Sequence, residues 1–232
     1  MADTKRTALI VGAGAGLSAS LARRFAREGI DVALAARSTD KLADLSAEIR
    51  ARAYACDASD AGQVERLFAE LDAGPGAPDI VVYNPSYRTR GALVELDPAE
   101  VARALAVTAF GAFLVAQQAA RRMLAKGGGA IAFTGASAGV KGYPRSAPFA
   151  MGKFALRGLA QSMARELAPL NIHVAHFVID GAIRNPGRTE PADRPDSMLD
   201  PDALADTYWH VLQQPRNAWT WEIELRPWVE TF

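Results

Sequence analysis

The sequence predicts an α/β fold built on a doubly wound, mainly parallel seven-stranded sheet with helices on both faces. Three observations point to it. Short apolar runs alternate with longer amphipathic ones along the 232 residues, the pattern of strands covered on both sides by helices. A glycine-rich turn follows the first apolar run, where folds of this kind receive phosphate at a helix N-terminus. No internal repeat or low-complexity linker divides the chain, so residues 1–232 read as one domain of Rossmann type.

In chain order, the apolar runs Thr7–Val11, Asp31–Ala35, Ala53–Cys56, Ile80–Tyr83, Ala130–Thr134, Ile172–Ile179 and Glu222–Leu225 read as strands. Helices fall between them near 17–28, 40–50, 60–72, 98–125, 147–168 and 201–213. In the fourth, Val101, Leu105, Thr108, Ala112, Val115 and Ala119 share one face. In the fifth, Phe149, Lys153, Leu156, Ala160, Met163 and Leu167 do the same, with Lys153 the single charge in the stripe. On periodicity alone its stem snorkels to solvent. Residues 184–201 hold Pro186, Pro191, Pro195 and Pro201 with few apolar anchors, and predict a mobile lid. Its Arg184 and Arg188 read either as solvated loop charges or as contacts to an acidic or phosphorylated substrate.

Composition narrows the function classes. Lys and Arg total 26 and Asp and Glu total 26, so nothing suggests a nucleic-acid partner. A single cysteine, Cys56, excludes an internal disulfide and a multi-cysteine metal site. His173 and His176 lie three apart in a strand, on opposite faces, and cannot chelate one ion together. No metal is expected. Lys5 and Arg6 precede a small apolar stretch that resembles a secretory signal, but Gly12, Gly14 and Gly16 interrupt it. No unbroken run approaches the ~18 apolar residues of a membrane span, so no membrane partner is expected and a cytoplasmic location is the default.

The turn Gly12-Ala13-Gly14-Ala15-Gly16-Leu17-Ser18 opens the first helix. Glycines allow a tight turn and close approach of backbone to a pyrophosphate, which meets the free N–H groups of the helix start. A nucleotide is therefore the expected ligand. The second strand ends in Ala35-Ala36-Arg37-Ser38 with no carboxylate to accept from a ribose 2′-hydroxyl. Arg37 and Ser38 suit a 2′-phosphate instead, so NADP(H) is favoured over NAD(H).

These motifs together resemble the short-chain dehydrogenase/reductase family over nearly the whole chain. Gly12 and Gly16 match its glycine turn, with Ser18 in place of the last glycine. Cys56-Asp57-Ala58 resembles its adenine-contacting segment, and Tyr83-Asn84-Pro85-Ser86 stands where the family has Asn-Asn-Ala-Gly. Residues 127–134 resemble its fifth strand. Asp180-Gly181-Ala182-Ile183 stands at its Pro-Gly-x-Val, whose backbone holds the nicotinamide amide. The resemblance thus implies Gly12, Gly14, Gly16, Leu17, Arg37, Ser38, Asp57, Ala58, Asn84, Lys153, Gly181 and Ile183 as cofactor contacts, a small-molecule substrate, and a homodimer or homotetramer. All four tryptophans, Trp209, Trp219, Trp221 and Trp228, lie in the last 24 residues, as core or as interface anchors.

The departures concentrate at the chemistry. The family's tetrad is Asn, Ser, Tyr and Lys. Its Tyr-x-x-x-Lys reads Phe149-Ala150-Met151-Gly152-Lys153 here, its asparagine position holds Thr108, and its serine position falls on Ala136 or Ser137. The branch of enoyl reductases fits no better: Gly12 and Ser18 match its turn, but Ser20 and Ser146 replace its Ala and Tyr. Phenylalanine cannot donate a proton, so the candidate catalytic residues are Lys153, Ser137 and Tyr143, with Asp180 a further possible carrier. In the context of the resemblance, Lys153 is expected on a ribose hydroxyl. Two readings stay open: an NADP(H)-dependent oxidoreductase with an incomplete tetrad, and a catalytically silent NADP(H)-binding sensor or partner protein.

Overall fold

The computed structural model describes residues 6–231. Seven strands form one sheet: β1 (Thr7–Val11), β2 (Asp31–Ala36), β3 (Arg52–Ala55), β4 (Ile80–Tyr83), β5 (Gly129–Thr134), β6 (Ile172–Ile179) and β7 (Glu222–Leu225). Their order is β3-β2-β1-β4-β5-β6-β7. Every pairing is parallel, so the sheet is parallel throughout and not merely in the main. β3 lies one residue earlier than its apolar run suggested.

Side chains alternate across the sheet and feed two cores. Ala8 and Ile10 of β1 join one, Leu9 and Val11 the other. The first core takes Leu21 and Phe25 of α1 (Leu17–Arg27), Leu45 of α2 (Ala43–Ile49), and Leu204 and Tyr208 of α7 (Pro201–Leu212). The second takes Phe68 of α3 (Ala61–Ala73), Val115 and Ala119 of α5 (Gly111–Lys126), and Leu156 and Ala160 of α6 (Ala147–Leu167).

The fourth predicted helix differs from expectation. It starts as α4 (Pro98–Leu105), capped by Asp97, widens into a π turn over Ala106–Phe110, and resumes as α5. The reason lies in β4: the Tyr83 hydroxyl donates to the Val107 carbonyl. A Cβ on Gly111 would lie 2.6 Å from both the Tyr83 hydroxyl and the Ala58 carbonyl, so glycine allows this approach. The whole helix, Pro98–Lys126, is long and apolar enough by composition to cross a membrane, a property that counting unbroken apolar residues misses. Here its inner face packs on the sheet through Ala112, Val115 and Ala119.

The 184–201 segment has structure at its base. Ile183 bridges Leu199, with Arg184 N donating to the Leu199 carbonyl and Leu199 N to that of Ala182. Arg184 pairs with Asp200, which caps α7. Three tryptophans pack within this chain: Trp209 against Phe25, Trp219 stacked on His173, and Trp221 beside Arg157. Trp228 is exposed, and its indole N–H donates to the Pro195 carbonyl.

Candidate active site

Strand order reverses between β1 and β4. Such a reversal opens a crevice at the carboxyl ends of the strands. Gly12 leaves β1 with φ of +79°, and a Cβ there would meet Pro85 at 2.7 Å. Glycine is obligatory at this point, whereas Gly14 has open space around it. Ser18, standing at the missing glycine, donates to the Gly12 carbonyl and accepts from the Asn84 side chain at 2.7 Å. One hydroxyl thereby fastens α1 to the ends of both strands. α1 starts without a side-chain cap and with no acidic residue in its first turn. Its amino end is thus suited to an anion.

A cavity of about 280 Å³ opens beside this turn. Gly12, Ala13, Arg37, Lys41, Asp57, Ala58 and Asn84 line it, with Val11 at the end of β1. The Ser59 hydroxyl and N–H donate to the Asp57 carboxylate and hold its pKa below the usual range. Cys56, buried here, has its thiol pushed up to about 11 by burial, so it is no nucleophile at neutral pH.

A second cavity, about 780 Å³, takes Arg88 and Arg90 from the segment that follows β4. Ala136, Ser137, Tyr143, Phe149, Asp180 and Gly181 line it. The Tyr143 hydroxyl donates to Ser137 Oγ at 3.0 Å. Phe149 sits in the first turn of α6 under the Arg88 guanidinium, 4.1 Å from its ring centre. Lys153, one helical turn on, is buried and donates to the Thr134 carbonyl at 2.7 Å. Burial, and then the charge of Arg88, lower its pKa to about 7. Thr108, buried in the π turn, accepts from Tyr87 N at 3.3 Å and faces Gly152.

The structure therefore gathers Gly12, Arg37, Asp57, Ala58 and Asn84 around one cavity and Ser137, Tyr143 and Gly181 around the other. Gly14, Gly16 and Leu17 form the connecting turn, with the Leu17 side chain in the core. Ser38 is exposed and outside the lining, and Ile183 is engaged with Leu199. Lys153 lines neither cavity; packing beneath Phe149, not snorkelling, accounts for its stem. Asp180 lies 3.7 Å from Lys141 and 3.5 Å from Arg226. Sequence reasoning missed Lys41, Arg88 and Arg90. The alternation Arg88-Thr89-Arg90 in an extended segment was the available signal, since it puts both guanidiniums on one side.

The family model for short chain dehydrogenase matches residues 6–190. An uncharacterized oxidoreductase of Mycobacterium tuberculosis is 34% identical over 180 residues, 74% of this chain and 71% of that protein. A short-chain dehydrogenase structure from Rhodopseudomonas palustris superposes with a TM-score of 0.83 at 36% identity, covering 96% of this chain and 99% of that one. The alcohol dehydrogenase of the archaeon Thermococcus sibiricus, complexed with 5-hydroxy-NADP, has a TM-score of 0.88 at 24% identity over 98% of each chain, a likeness of fold. With a family match across most of the length and a solved relative aligned nearly end to end, the chain belongs to the short-chain dehydrogenase/reductase family.

Proposed function

We propose that the chain is a cytoplasmic, NADP(H)-dependent carbonyl reductase in which Tyr143 and Ser137 take over the proton delivery that a phenylalanine at 149 cannot perform. The observation that carries this reading is the 3.0 Å hydrogen bond from Tyr143 to Ser137 inside the larger cavity. Because Tyr143 donates, the Ser137 proton is left to point at a substrate oxygen. As charge develops on that oxygen, Ser137 gives up its proton and regains one from Tyr143. Tyr143 is 42% exposed and recovers its own from water.

The turn fits a dinucleotide: an obligatory glycine and an uncapped helix start, with Arg37 and Lys41 in the adjoining cavity, where they would hold a 2′-phosphate. The Thermococcus sibiricus relative is complexed with an NADP derivative. The bound nicotinamide supplies the hydride. Gly181, in the larger cavity, would hold its amide and Phe149 would keep water from the reacting face; Lys153 would reach a ribose hydroxyl only by leaving the Thr134 carbonyl to which it donates. The protein works as a homodimer or homotetramer.

The test is NADPH consumption on a carbonyl panel, with calorimetry for cofactor affinity. Tyr143→Phe and Ser137→Ala should each lower turnover ~10²–10⁴-fold, with little added loss when combined, and leave NADPH affinity intact. Phe149→Tyr should not restore an ordinary site, because Thr108 stands in place of the family's asparagine and Ser137 is already bonded to Tyr143. Arg37→Ala should erase a tenfold or greater preference for NADPH over NADH. Tight NADPH binding with no turnover on any carbonyl would favour the silent binding protein instead.

A further inference from the structure

The larger cavity has more positive charge than the reduction of a neutral carbonyl requires. Its lining carries Arg88, Arg90, Arg145 and Arg188 against two acids, Asp180 and Glu230. Asp180 already faces Lys141 and Arg226. Among the described residues, no carboxylate forms an ion pair with any of the four lining arginines. Three of them converge from distant parts of the chain: Arg88 and Arg90 from the segment after β4, and Arg188 from the 184–201 loop. Burial, then Arg90 and Arg188, lower the pKa of Arg88, which places like charges close enough to repel. Arginines gathered without an ion-pair partner match the forked geometry of an oxyanion.

Resting on the reductase reading, we infer that the substrate carries an anionic oxygen group, a carboxylate or a phosphate, held by Arg88, Arg90 and Arg188. The stacking of Arg88 on Phe149 sets that group beside the reacting end of the cavity. A small oxo acid or a phosphorylated ketone has this form, and a neutral ketone does not. Arg184, on the same loop, is excluded because Asp200 occupies it.

The experiment titrates the NADPH-saturated protein with oxamate and with inorganic phosphate by calorimetry, in the unmutated chain, Arg88→Ala and Arg188→Ala. Binding of at least one anion below ~10 mM is expected, weakened tenfold or more in each variant. Stronger binding of oxamate assigns a carboxylate, and stronger binding of phosphate assigns a phosphate. Arg88→Lys, which keeps the charge and loses the fork, should fall between. The proposal is overturned if neither anion binds, if Arg88→Ala binds as the unmutated chain does, or if Arg188→Ala loses NADPH affinity in place of anion affinity. Reduction of a 2-oxo acid and its methyl ester is followed in parallel. Equal turnover of both, indifferent to Arg88→Ala, sinks the anionic substrate and leaves the reductase standing. Anion binding that is lost in the variants, without turnover of any carbonyl, sinks the reductase and leaves the anion site.

Discussion

Phe149 lies between two cationic side chains, Arg88 above its ring and the Lys153 amine 5.8 Å from its centre. A phenol at 149 would give Lys153 a polar neighbour; the phenyl gives it only a quadrupole. Burial first, then Arg88, bring the amine to about 7 from its ordinary 10.5. The unfolded chain therefore binds more protons than the folded one between about pH 7 and pH 10.5. Stability rises with pH across that window, and the penalty is fully present below it. At about 1.4 kcal/mol per pKa unit, the effect amounts to a few kcal/mol. Lys153→Met should melt higher than the unmutated chain at pH 6, with the gap closing toward pH 10. A gap independent of pH would contradict the buried, half-neutral amine.

At the level of elements, the strands were legible because most are buried on both faces, which leaves unbroken apolar runs. The π turn was not. A 3–4 spacing of apolar residues tolerates one extra backbone residue, and only the contacts of Tyr83 and Gly111 reveal it. Ala136 and Ser137 both line the cavity and only Ser137 meets Tyr143, a contact between residues six apart in a loop that no periodicity reveals. Arg88 and Arg90 follow β4 in an irregular segment, where three residues of alternation are too short a signal to separate from a solvated loop. The 184–201 segment looked poor in apolar anchors by composition, yet Leu199 is buried and its backbone is paired. Hydrogen exchange should accordingly be slow at Arg184 and Leu199 and fast through residues 189–193 in the free protein. Uniform protection across the segment would rule out a moving lid.

For the whole molecule, the apolar surface is unevenly spread. Phe110 and Phe113 stack on each other at 6.2 Å on the long helix and remain exposed. Met151 and Phe154 are exposed on α6, which touches that helix where Gly152 meets Thr108. Four large apolar side chains on adjoining helices favour burial against a second copy. Light scattering at micromolar concentration should give at least twice the 24.7 kDa of one chain, and Phe113→Glu should lower it. A monomer in the unmutated protein would refute the assembly. One last consequence comes from Trp228, the exposed indole tied to Pro195 in the loop. The other three tryptophans are at least partly shielded, so Trp228 provides a built-in optical probe. Loop movement that breaks its bond changes the surroundings of this one fluorophore. A stopped-flow emission trace, with Trp228→Phe as the blank, would time the opening and closing steps without any attached label.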